Sequence, residues 1–114
     1  METQNNLRGE IQFIFGEDEY QGKVTLDIIK RIELKFQKGI VEIATDLSTG
    51  KLKIGELAMI IGPAIRKGGK DLSQSQIEEI IFANGITSGI QACSQVIAEA
   101  LQTGEPTEGK AQMG

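Results

Sequence analysis

The chain has no histidine, no tryptophan, one cysteine, one tyrosine and two prolines in 114 residues, and each shortage removes a class of chemistry. With Cys93 alone and no histidine, neither an intrachain disulfide nor a cysteine–histidine zinc site can be assembled, and a thiol nucleophile would lack its usual base. No apolar run approaches the roughly 18 residues of a membrane-spanning helix, and the opening METQNNLRGE has no apolar signal core. Neither export by that route nor a membrane partner is expected. Sixteen acidic residues against twelve basic ones leave a net charge of −4, which disfavours nucleic acid as a partner. What is present, 39% apolar and 25% charged residues, is the composition of a folded domain with one core in a reducing cytoplasm.

Hydrophobic periodicity assigns an α+β fold. Residues 1–8 are polar apart from Leu7 and read as a flexible lead-in. Ile11, Phe13 and Phe15 then alternate, which predicts a strand over 10–15. Gly16, Glu17, Asp18 and Glu19 favour a turn, and Tyr20 and Val24 continue a second strand over 20–25, with Gly22 permitting a bulge. At Thr25 the period lengthens to that of a helix. Four to five helices follow, over 26–38, 40–47, 54–67, 74–83 and 87–102, packed against the hairpin.

The ends of these helices are partly written in single residues. Thr25 suits a cap, Asp27 suits the positive end of the helix dipole, and Gly39 reads as a stop. Pro63 lies inside the third helical pattern and predicts a kink or break near Gly62. At the start of that helix Glu56 has capping-box spacing, but Lys53 occupies the cap position and has no acceptor. Ser73 and Gln76 make a full capping box, flanked by Leu72 and Ile77 at the spacing of a hydrophobic staple. The reading gives one α+β domain over 9–103 and a disordered tail over 104–114.

Candidate chemistry is sparse. Glu17, Asp18 and Glu19 lack the twelve-residue spread of a calcium loop and read as a solvated tip. Thr45 to Lys51 lacks the first glycine and the final hydroxyl of a phosphate-binding loop, and reads as a helix-ending turn. Arg66, Lys67 and Lys70 suit a helix C-terminus, with an acidic partner as the alternative. Cys93 sits on an apolar helical face, as a core residue would. No catalytic, cofactor or metal set emerges, so the expectation is a non-enzymatic protein. Phe82 lies off the Ile77, Ile80, Ile81 stripe and has two readings: a core aromatic on a wide stripe, which is favoured, or a partly exposed contact residue. Two-stranded hairpins present unpaired edges, so Phe13, Phe15, Tyr20, Val24 and Phe82 are the candidate partner-binding residues, with self-association through the hairpin edges. A helix-turn-helix regulator can be drawn around Ser73 to Asn84, but that helix contains Glu78 and Glu79 and no Lys or Arg.

Gly9-Glu10, the aromatic strand, Gly16-Glu17, Tyr20, Thr25 and Ile28 to Glu33 together resemble the start of the gene-transfer-agent type of phage tail assembly chaperone. Ile60 to Gly69, a helix closing on a basic residue and paired glycines before two more helices, is similar to that family's middle and end. The resemblance covers about residues 9 to 103, and Pro63 and Lys53 depart from it. It implies a protein of the host cytoplasm that binds the tape-measure protein and helps tail-tube subunits assemble around it, with no catalytic residues to carry over. The family is also described as a tail tube component, which implies a structural place in the tail instead.

Overall fold

Alternation in the first segment produces a hairpin whose two strands meet with no residue out of register. In a computed structural model describing residues 9–102, β1 (Glu10–Phe15) pairs antiparallel with β2 (Asp18–Lys23), from Glu10 opposite Lys23 to Phe15 opposite Asp18. The turn is Gly16-Glu17 alone, and Gly16 takes φ 65°, the first-position glycine of a type II′ turn. The second strand therefore runs over 18–23 instead of 20–25, because a two-residue turn draws Asp18 and Glu19 into the ladder. Val24 lies beyond β2, though its N–H still donates to Gly9 O at 2.8 Å. The expected lead-in over 1–8 and tail over 104–114 lie outside the described residues.

Five helices follow: α1 (Leu26–Phe36), α2 (Ile40–Ser48), α3 (Ile54–Lys67), α4 (Gln74–Asn84) and α5 (Ile86–Gln102). Local chemistry sets their ends. Thr25 Oγ1 accepts the Ile28 N–H, and Ser73 with Gln76 forms both bonds of the capping box, at 3.1 and 2.8 Å. At Lys53 only half a box exists, the Glu56 carboxylate accepting the Lys53 N–H at 2.8 Å. Gly39 does not end α1. That helix stops at Phe36 with Gln37 in the left-handed region at φ 56°, while Gly39 becomes the N-cap of α2. Ile40, the first residue of α2, has its free N–H satisfied by Glu33 Oε2 at 2.9 Å, a bond from the body of the preceding helix.

The core is built around α3, which is flanked by β2, α1, α4 and α5. Leu57, Ala58 and the whole run Ile60 to Ile65 are buried, so this helix is apolar nearly all round, as a central helix must be. It passes through Pro63 without interruption. An interior proline costs about 3 kcal/mol, whereas burying Leu57, Ile60, Ile61 and Ile65, each at most 1% exposed, stabilises by roughly 6–12 kcal/mol. Packing decides the outcome. Gly62 assists, since the steric conflict that proline imposes on its predecessor partly involves a Cβ that glycine lacks. A Cβ there would also stand 3.1 Å from Ile77 Cδ1 of α4.

Candidate interaction surface

The inner face of the hairpin packs inside the chain, with Ile11 and Tyr20 half-buried on it. Phe13, Phe15 and Val24 are 0%, 1% and 3% exposed, so three of the five candidate contact residues are core. Gly22 faces Phe13 across one diagonal: a Cβ built on it would stand 2.4 Å from Phe13 Cε2. With the register continuous, Gly22 makes no bulge. Its service is room for the Phe13 ring. Tyr20 is half-buried and packs edge-to-face on Phe15, ring centroids 6.1 Å apart.

The strand edges are only partly open. Hydrogen-bonded and non-bonded pairs alternate in an antiparallel ladder, so the Val24–Gly9 bond implies that Gln12, Ile14, Glu19 and Gln21 turn their backbone groups outward. Gln95 of α5 donates to Gln12 O at 3.1 Å, and Glu99 of α5 accepts the Gly9 N–H at 2.9 Å. On the other edge the end of α3 presses on β2, where a Cβ at Gly68 would come within 2.3 Å of Gln21 O. Helices thus shield both edges near the base of the hairpin. Its outer face stays in solvent, with Ile14 62% exposed and Gln12 donating to Glu19 Oε1 at 2.7 Å.

Phe82 takes the less favoured of its two readings: it is 79% exposed. The inward stripe of α4 is complete with the buried Ile77 and Ile81 and the half-buried Ile80, leaving the opposite side to Ser75, Glu79 and Phe82. That side offers a phosphate backbone no cation, which weighs against α4 as a DNA-reading helix. Periodicity misses other exposed apolar residues altogether. Leu26 and Leu34 stand out from α1, Val41 from α2 and Leu101 from the end of α5. Between α2 and α5 an open groove of about 350 Å³ is lined by Ala44, Leu47, Ile90, Ile97 and Leu101 among others.

The remaining polar features serve the fold. Arg66 donates to Leu72 O at 2.7 Å, holding the link from α3 to α4. Burial pushes the Cys93 thiol far above its ordinary range, and its S–H donates to Leu57 O at 3.3 Å. It is in no state to act as a nucleophile. Lys38 donates to Asp46 at 2.7 Å, a bond that raises the pKa of the lysine. Among the described residues no three Cys, Asp or Glu side chains converge to hold a metal ion, and no helix is long and apolar enough to cross a membrane.

No curated protein and no solved structure matches the chain. A family model does, over residues 8–103, and its description is "Phage tail tube protein, GTA-gp10". That description favours the structural alternative over the chaperone reading drawn from the sequence. With nearly the whole hairpin-and-helix unit inside the match, the chain belongs to the GTA-gp10 family of phage tail tube proteins.

Proposed function

We propose that the chain is a structural subunit of a phage tail, held to neighbouring tail subunits by the outer face of its hairpin. The carrying observation is the family match, which spans the entire hairpin and all five helices. The geometry supports it. Ile14 stands exposed on the outer face while both strand edges are anchored at their base by α3 and α5, so the hairpin is a rigid presenting element and not a loose ribbon. Tyr20 and Phe82, the two candidate residues with accessible surface, remain the proposed aromatic contacts, and Ile14 takes the place of Phe13, Phe15 and Val24.

A second reading, the assembly chaperone acting in the host cytoplasm, is favoured by one feature. The apolar α2–α5 groove suits an amphipathic helix, the form that a tape-measure protein would present. Quantitative mass spectrometry of purified particles separates the two. Many copies per particle support the structural subunit. Absence from particles, with co-purification of the tape-measure protein from cell extracts, overturns it in favour of the chaperone.

A further inference from the structure

Two outward helix faces have no partner among the described residues, and their charges are opposite. On α1, Leu26 and Leu34 are 70% and 77% exposed with Lys30 between them. Eight residues of helix place these leucines about 12 Å apart in line. Arg31 is paired with Asp27 at 3.3 Å, while Lys30 and Lys35 have no ion-pair partner among the described residues. On α4, Glu79 and the 79%-exposed Phe82 share the outward side. From Gln74 to Gln102 there is no Lys or Arg at all, only Glu78, Glu79 and Glu99.

Single exposed apolar residues are ordinary; a matched pair of faces is not. Contact of α1 with α1 would oppose lysines, and contact of α4 with α4 would oppose glutamates. Contact of α1 with α4 sets Lys30 against Glu79 and buries Phe82 between two leucines. Like charges brought together cost free energy, and complementary ones fix the register. The two faces cannot meet in one copy, because α1 packs on α2 and α3 whereas α4 packs on α3, α5 and β1. We propose that a second copy of this chain seats its α4 face (Glu79, Phe82) on the α1 face (Leu26, Lys30, Leu34) of the first. Phe82 then lies along the Lys30 stem, gaining a cation–π contact as well as apolar burial. The contact joins two different patches, so each added copy leaves one of each open, and association continues until the rotation between copies closes a ring.

Sedimentation of the purified full-length chain tests this without reference to particles, so its outcome is independent of the tail-subunit reading. The wild-type mass should rise with concentration and fall back with added salt. Leu34→Asp and Phe82→Asp should each leave a monomer, and an equimolar mixture of the two should give a dimer and nothing larger, since only one competent pair of faces survives. Lys30→Glu and Glu79→Lys should each weaken association about tenfold, as expected for desolvated interface charges, and the double variant should recover it. That charge pair decides the matter if an aspartate variant fails to fold by circular dichroism. A wild-type chain that stays monomeric at its highest soluble concentration overturns the proposal. So do single variants that associate like wild type, or a mixture of folded aspartate variants that stays monomeric.

Discussion

Phe13 and Ile14 are neighbours in β1, both apolar, and one is 0% exposed while the other is 62% exposed. Ile81 and Phe82 repeat the contrast on α4, at 0% and 79%. In each pair a single step along the chain separates a residue that builds the core from one that stands in solvent. Side-chain type does not distinguish them; an aromatic is inside in the first pair and outside in the second. Direction does, because the strand alternates by two and the helix by 3.6.

Truncating the inner member of the first pair has the largest expected effect. Phe13→Ala should cost about 3–5 kcal/mol, close to the full stability of many domains this size, whereas Ile14→Ala should stay within about 0.5 kcal/mol. Urea denaturation measures both, and equal losses would break the comparison. Gly22→Val comes next. Its Cβ would sit in the space of the Phe13 ring, so a loss of about 1–3 kcal/mol is expected, partly restored when Phe13 is also shortened to Leu. Recovery would show that Gly22 serves the inner aromatic; a loss unchanged by the second substitution would point to the backbone instead.

Smaller effects probe the helix ends. Ser73→Ala should lower stability by about 1 kcal/mol, and Gln37→Gly should raise it by about 1 kcal/mol by relieving a left-handed residue that carries a Cβ. Thermal melts read both, and a lower melting temperature for Gln37→Gly would deny that the stop is strained. The smallest effect depends on pH. The folded Lys38 has a pKa above its ordinary 10.5, so the stability contributed by its bond to Asp46 is fully present below 10.5 and is lost as pH rises through the raised value. The difference between wild type and Lys38→Met should shrink on that alkaline side alone. A difference that persists unchanged there would assign the effect to packing of the lysine stem.

Much of the fold is legible where one residue or one period carries the message. The capping box at Ser73, the Thr25 cap and strand β1 follow from local pattern. Pattern misplaces the second strand because three consecutive carboxylates look like a loop, although a two-residue turn with glycine first needs only Gly16-Glu17. It misplaces the end of α1 because Gln37, not a glycine, adopts the left-handed conformation. Among the candidate contact residues, Phe13, Phe15 and Val24 stand out for their apolar character, and that same character makes them core. Alternation sets Ile14 apart from Phe13 and Phe15, whereas Leu26 and Leu34 fit the local apolar run and only the absence of a neighbour exposes them.

The order of elements, several of their caps, the lack of a cysteine–histidine zinc site and the family resemblance all follow from the chain read as a string. These depend on the spacing and identity of residues near one another along it. Packing in three dimensions settled that α3 continues through Pro63, that Gly22 clears a ring, that α5 and α3 cover the hairpin edges and that Phe82 faces solvent. Burial depends on neighbours supplied by distant segments. No window of sequence holds that information until the chain has packed.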